Sequence, residues 1–138
     1  MNIVRETNVA YMDDQKTNDL VNIARKGLSY AEFAQLYDMA PFKLSDWAHL
    51  LSLSDRSLQR YQKSGSHFSM SVSEKLLMIS YLINRGRSIF GHPDRFFSWL
   101  QKPAAALGGQ TPFSLMDSIF GIDMILDELG RIEHGIFS

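Results

Sequence analysis

Few of the side chains able to carry covalent or metal chemistry stand in a useful pattern. The chain has no cysteine, which removes thiolate zinc sites, disulfides and cysteine nucleophiles together. Its four histidines, His49, His67, His92 and His134, are far apart, and none stands in H-E-x-x-H or another short metal spacing. There is no G-x-S-x-G nucleophile elbow and no Walker loop. Gly108-Gly109 precedes Thr111-Pro112 and could offer backbone amides to a phosphate. The pair lacks the lysine and the preceding strand of a phosphate loop, so a tight turn is the better reading. Asp123, Asp127, Glu128 and Glu133 could gather round a cation, but their spacing suits the solvated face of an amphipathic helix. No metal, cofactor or catalytic set is expected, so the chemistry that remains is binding.

One stretch has binding chemistry. Arg56, Ser57, Gln59, Arg60 and Lys63 lie within eight residues. Arginine can bond guanine at two points and glutamine can do so with adenine. Lys63 suits a phosphate. Such side chains need a helix to present them, and the surrounding sequence supplies one. Ser45 is expected to cap a helix from Asp46 to Leu51, with Trp47, Ala48, Leu50 and Leu51 apolar. Ser52-Leu53 forms a turn. Ser54 caps a second helix from Asp55 to about Lys63, on which Leu58 and Tyr61 face inward. This is a helix, a short turn and a helix, with the donors outward on the second. In a helix-turn-helix that second helix enters the major groove. Basic-faced helical pairs are common, and Asp55 is unfavourable beside DNA although it suits a helix N-terminus.

The rest of the chain reads as further helices. Thr17 or Asn18 can cap a helix through Leu20, Val21, Ile23 and Ala24 that Gly27 ends. Ser29-Tyr30-Ala31-Glu32 is a capping box, opening a helix with Phe33, Leu36 and Tyr37 that Pro41 closes. The two form a hairpin that covers a core or makes a dimer contact. Ser71-Val72-Ser73-Glu74 is a second box, opening the longest helix, about Val72 to Phe90, with Lys75, Arg85 and Arg87 solvated. Gly91 ends it. His92-Pro93-Asp94 begins another, in which Phe96, Phe97, Trp99 and Leu100 read as core. From Pro103 onward, Thr111 is a natural cap with Pro112 at the first helical position. Phe113, Met116, Ile119 and Phe120 would share one face, with Gly121 as a left-handed stop. Ile122, Ile125, Leu126, Leu129 and Ile132 line the next helix to Gly135. By pattern alone this pair is a C-terminal packing module. No alternating strand pattern occurs and no internal repeat, so the fold class is all-α.

The 138 residues, 45% of them hydrophobic, suffice for one domain or two small packed units. Net charge is −1, but it is unevenly spread. Residues 43–102 carry nine basic and four acidic side chains, whereas 103–138 carry one basic and five acidic. The middle attracts phosphate and the C-terminal part repels it. The N-terminus lacks a basic lead followed by an apolar core, so no signal peptide is expected. No apolar run approaches the ~20 residues of a membrane span. A cytoplasmic protein is the expectation.

The order of residues adds what periodicity cannot. Trp99-Leu100, Pro103, Ala106-Leu107-Gly108-Gly109, Thr111-Pro112, Leu115, Gly121, Leu129, Arg131-Ile132-Glu133 and Gly135 closely resemble the toxin-binding domain of Xre/MbcA/ParS-type antitoxins, partners of RES-domain toxins. Upstream, Leu50-Leu51, Ser54, Ser57-Leu58-Gln59-Arg60 and Ser71-Glu74 resemble the Xre-like helix-turn-helix half of that family, with a sparser basic face than many relatives show. The resemblance covers roughly residues 44–137. It implies three parts: an N-terminal helical arm or hairpin over 1–43, a helix-turn-helix domain over 44–92 and a toxin-binding domain over 93–138.

It further implies a non-enzymatic antitoxin that covers the NAD site of a RES-domain toxin and represses its own operon as a homodimer, or as a higher hetero-oligomer with toxin. Toxin contact falls to Leu107, Gly108, Gly109, Thr111, Pro112, Arg131, Glu133, His134, Gly135, Ile136 and Phe137. Glu133 would pair with arginines that otherwise hold NAD phosphates, and the tail would act as a plug. Operator contact falls to Arg56, Ser57, Gln59, Arg60 and Lys63. Two rivals stand beside this reading. A stand-alone helix-turn-helix repressor would bind its operator without a toxin, and a helical enzyme or ligand-binding domain would need a polar pocket.

Overall fold

The computed structural model describes residues 14–135, and their side chains from residue 18 onward. Residues 1–13 of the expected N-terminal arm or hairpin over 1–43, and the tail Ile136-Phe137-Ser138, lie outside the described residues. Seven α-helices are described: α1 Asp14–Lys26, α2 Tyr30–Met39, α3 Leu44–Leu50, α4 Asp55–Ser64, α5 Met70–Phe90, α6 Pro93–Leu100 and α7 Ile119–Gly135. Two 3-10 turns, Ala105–Leu107 and Pro112–Leu115, separate α6 from α7. There is no strand among the described residues, and the fold is all-α. The chain forms two compact units, one ending at Tyr81 and one beginning at Leu82. The division falls inside α5.

The first unit is built round aromatic rings. Phe33 of α2 meets Trp47 of α3 edge-on at 5.5 Å and Phe68 at 5.9 Å. Phe42 lies 5.6 Å from Trp47, and Tyr61 of α4 lies 4.6 Å from Phe68. Such pairs add about 1 kcal/mol each beyond the apolar area they bury. Leu36, Leu50, Leu58, Leu76 and Ile79 are fully buried with them. Burial raises the pKa of the Tyr30 phenol above its ordinary value, and the neighbouring Tyr37 adds to the rise.

A corner at Gly27-Leu28 ties the α1–α2 hairpin to the first turn of α5 and the segment before it. The Leu28 N–H donates to Ser73 Oγ at 2.9 Å, and the Phe68 N–H donates to the Leu28 carbonyl at 2.9 Å. His67 Nδ1 lies 2.9 Å from the Gly27 carbonyl. Gly27 itself has φ +89°, and a Cβ there would run into the Phe68 carbonyl oxygen. Glycine is required on both counts. The hairpin therefore covers the core, which is one of its two expected roles.

The second unit buries Leu82, Ile83, Phe96, Leu100, Leu107, Met116, Ile122, Ile125 and Leu129. Gly86 on α5 leaves room for the Phe96 ring, which a Cβ would strike. Phe96 also stands 5.3 Å from Phe97 and 6.0 Å from Phe90.

Several boundaries differ from the sequence reading, each for a local reason. Helix α1 already includes Asp14, the first described residue, a turn before Thr17. Helix α3 begins at Leu44, because Asp46 sits at the third position and its carboxylate accepts the Lys43 N–H at 2.9 Å. Ser45 is thus inside the helix. Helix α5 begins at Met70, since Ser69 Oγ accepts the Val72 N–H and takes the capping role assigned to Ser71. Thr111 does cap, accepting the Ser114 N–H at 3.2 Å, but the segment behind it is a four-residue 3-10 turn and not an α-helix. Phe113, Met116, Ile119 and Phe120 consequently share no helical face. Gly121 is no stop: it is buried inside the first turn of α7, where a Cβ would overlap the Leu115 carbonyl oxygen. Its small size, and not its backbone freedom, is what the position needs.

Candidate functional site

Two surfaces hold the residues singled out above, one in each unit. The first is α3, the turn Leu51–Ser54 and α4. Trp47, Ala48, Leu50, Leu51 and Leu58 are buried and fix the pair. In the turn, the Leu53 N–H donates to the Ala48 carbonyl at 2.8 Å and Ser52 takes φ 57°. Ser54 Oγ then caps α4 by accepting the Ser57 N–H at 3.0 Å. With Leu58 inward, Arg56, Gln59, Arg60 and Lys63 are exposed, on a stripe with helical spacing. From Arg56 to Lys63 the stripe is about 10 Å long at ~1.5 Å per residue, within the ~12 Å width of a DNA major groove.

Ser57 behaves differently from its neighbours. It is half-buried, and its hydroxyl oxygen accepts both from Ser54 Oγ at 3.0 Å and from Arg60 Nη2 at 3.1 Å. It holds the Arg60 guanidinium against the start of the helix. Arg60 therefore approaches any ligand already oriented, and it lines one shallow recess of mixed character with Leu53, Ser57, Tyr61, Ser64 and Ser66. Arg56, Gln59 and Lys63 are long, exposed donors on the same helix.

The second surface is the C-terminal one. Residues 104–110 close a small loop on themselves. The Ala104 N–H donates to the Gln110 carbonyl at 3.0 Å, and the Gly109 N–H donates to the Ala104 carbonyl at 2.9 Å. Gly108 and Gly109 both have positive φ, 71° and 79°, and their N–H groups donate to the Ala105 and Ala104 carbonyls, so the pair forms a tight turn that uses both amides. Leu107 and Pro112 are buried and shape this turn from within. Thr111 is occupied as a cap.

On α7, Ser118 Oγ accepts the Gly121 N–H at 2.9 Å, and Gly121, Ile122, Ile125 and Leu129 face inward. Arg131 is exposed and its Nε donates to Glu128 at 2.8 Å. His134 and Gly135 are exposed at the helix end. Glu133 carries a contact that the sequence did not announce. Arg85 of α5 donates to both of its carboxylate oxygens, at 3.1 and 3.4 Å, so Arg85 is not the solvated residue expected. Two parallel bonds of this kind are strong and directional, though one-fifth exposure of Arg85 and about one-third of Glu133 leave the pair partly screened by solvent. Ile136 and Phe137 follow directly, outside the described residues.

Sequence reasoning also missed an apolar surface. Ile119, Phe120 and Met124 are exposed at the start of α7. Phe120, Met124 and Asp127 are spaced three and four apart, which would have shown the face once the helix was started at Ile119. Among the described residues no three histidine, aspartate or glutamate side chains gather as a metal site, and no helix is long and apolar enough to cross a membrane.

Comparison with known proteins gives concordant results. Residues 85–135 match the model of the antitoxin Xre/MbcA/ParS C-terminal toxin-binding domain. A protein named Antitoxin Xre from Yersinia enterocolitica is 25% identical over 120 residues, spanning 86% of this chain and 81% of that one. Another Antitoxin Xre, from Photorhabdus laumondii, is 26% identical over 117 residues, spanning 84% and 79%. A Prs ADP-ribosylating antitoxin from a Sphingobium species is 22% identical over 129 residues, spanning 87% and 81%.

Proposed function

We propose that this chain, a member of the Xre/MbcA/ParS antitoxin family, neutralises a RES-domain toxin by covering its NAD site and represses its own operon through α4. As a member of that family it is an antitoxin and not an enzyme. The single observation that carries the reading is the match of residues 85–135 to a toxin-binding domain. Those residues take in α6, both 3-10 turns and α7, nearly the whole second unit.

The contact is made by the Gly108-Gly109 turn, by Arg131, Glu133, His134 and Gly135 at the end of α7, and by the tail. Leu107, Thr111 and Pro112 hold the turn in shape. The chain leaving Gly135 carries Ile136 and Phe137 into the toxin's nucleotide site, where a buried phenylalanine contributes about 2 kcal/mol. Glu133 offers its carboxylate to toxin arginines that otherwise hold NAD phosphates, and Arg85 keeps it in place until then. An NAD-consuming partner accords with the ADP-ribosylating label of one relative.

Operator binding belongs to the first unit. Arg56, Gln59 and Arg60 face base edges, Lys63 meets phosphate, and Ser57 orients Arg60. A homodimer sets two such helices one DNA turn apart, ~34 Å. The exposed stripe on a capped second helix supports this, and it is also what a repressor without a toxin would possess. Co-expression with the product of the neighbouring gene separates the two. The expected result is a stable complex and recovery of cellular NAD that the neighbour alone depletes. Operator binding with no complex and no recovery would leave the stand-alone repressor.

A further inference from the structure

We infer that the first half of α7 is a second docking face for the toxin, with Phe120 as its anchor, distinct from the turn and the tail. The inference rests on the antitoxin reading above. Phe120 is 84% exposed, beside Met124 at 43% and Ile119 at 41%. This exposure is built in. Gly121 lies too close to the Leu115 carbonyl to admit a side chain, and Ile122, Ile125 and Leu129 are fully buried. With those positions inward, helical geometry turns Phe120, Asp123, Met124 and Asp127 outward, and each is exposed. The helix cannot roll to hide its phenylalanine without pushing the Gly121 backbone off Leu115.

An aromatic ring left in water on a rigid helix is the kind of side chain that dominates binding once a partner encloses it. Asp123 and Asp127 set the sign of that partner. They flank the apolar residues, while Arg131, the one basic side chain beyond Pro103, is already bonded to Glu128. A complementary surface has an apolar pocket for one ring and lysine or arginine at its rim. A second copy of this chain does not fit across a two-fold axis. An isologous contact there would gather four carboxylates, Asp123 and Asp127 of each copy, in one apolar interface with no basic side chain on this half of α7 to offset them.

The toxin is the remaining occupant, and continuity supports it. Along α7 the exposed side runs from Phe120 through Asp127 to Arg131 and His134, about 20 Å at ~1.5 Å per residue. It ends where the proposed plug begins. All of it lies inside the segment matched to a toxin-binding domain. One surface can therefore engage both the rim of the toxin and, through the tail, its active site.

The test uses the full chain and the purified product of the neighbouring gene. Affinity is measured for the unmodified chain, Phe120→Ala, Phe120→Asp and Asp123→Asn/Asp127→Asn, with operator binding and helix content as controls of folding. Phe120→Ala is expected to weaken the complex 10- to 100-fold, mostly through faster dissociation, and Phe120→Asp further. The double asparagine variant is expected to lose less, with a weaker dependence on salt. Unaltered affinity in Phe120→Asp would overturn the inference while leaving the antitoxin reading intact. Loss of self-association with unaltered toxin affinity would also overturn it, by giving the face to a second copy. Failure of the unmodified chain to bind would remove the partner assignment itself, and this face with it.

Discussion

At the scale of the residue, Glu133 shows how a contact inside the chain can prepare a contact outside it. Its carboxylate is held on both oxygens by Arg85, although the two are 48 positions apart in sequence. Arg85→Ala should free the carboxylate and loosen the last turn of α7, from which the tail departs. We expect Glu133→Ala to weaken toxin binding most, Arg85→Ala to weaken it several-fold, and Arg85→Glu/Glu133→Arg to recover no more than the Arg85→Ala value. The intrachain bond returns in that exchange, but the partner's arginines then face an arginine. Full recovery would confine Glu133 to positioning the helix end. A partly exposed pair contributes about 1 kcal/mol or less to folding, so thermal midpoints should hardly move. Gly121 is the contrasting case. Gly121→Ala must displace backbone, and a loss of about 2–4 kcal/mol of stability is expected by chemical denaturation, as for other overpacked or strained core sites. The sequence placed Gly121 at a helix end because glycine usually marks one. Only the spacing to Leu115, set by a 3-10 turn, shows that size is the constraint.

At the scale of the element, legibility followed capping chemistry. Where a hydroxyl cap is unambiguous, as with Ser29 and Glu32 before α2 or Ser54 before α4, sequence and structure agree. Disagreement arose where two caps competed. Ser69 and Ser71 are both available before α5, and Ser69 takes the role. Lys43 needs no polar side chain, because Asp46 reaches back to its N–H. The exposed face of α7 stayed hidden for a related reason: with the helix begun too late, Phe120 belonged to the wrong element. The turn between α3 and α4 carries a testable residue of strain. Ser52 sits at φ 57°, in the left-handed region where a side chain costs about 1–2 kcal/mol. Ser52→Gly relieves that strain and loosens the unfolded chain. The net is an expected gain of about 0.5–1 kcal/mol, read as a higher denaturant midpoint at constant slope. A loss of stability would mean that the serine side chain makes a contact the turn depends on.

At the scale of the whole molecule, charge is unevenly spread, and its boundary falls inside the toxin-binding segment, which takes in Arg85, Arg87, Arg95 and Lys102. Residues 43–102 carry nine basic and four acidic side chains, and 103–138 carry one and five. Arg56, Arg60 and Lys63 of the basic stretch are the ones on α4, where DNA would meet them, while residues 103–138 offer carboxylates to a basic protein. The two activities should therefore respond to salt by different amounts. If the three cations Arg56, Arg60 and Lys63 each displace one condensed counterion on entering the groove, the logarithm of operator affinity falls with the logarithm of salt at a slope near −2.7 per protomer. Between 50 and 200 mM salt that is a loss of about 40-fold per protomer. Lys63→Ala should lower the slope by about one unit and weaken all sequences alike, whereas Arg56→Ala should reduce discrimination between operator and random DNA. The toxin complex, anchored by Phe120 and the apolar tail with only a few charges at its rim, should lose much less over the same range. None of the α4 substitutions should alter it. Filter binding for DNA and calorimetry for the toxin, run on the same variants in the same buffers, would resolve the two slopes. Equal slopes, or loss of toxin binding in Lys63→Ala, would mean that the basic helix serves the toxin as well as the operator.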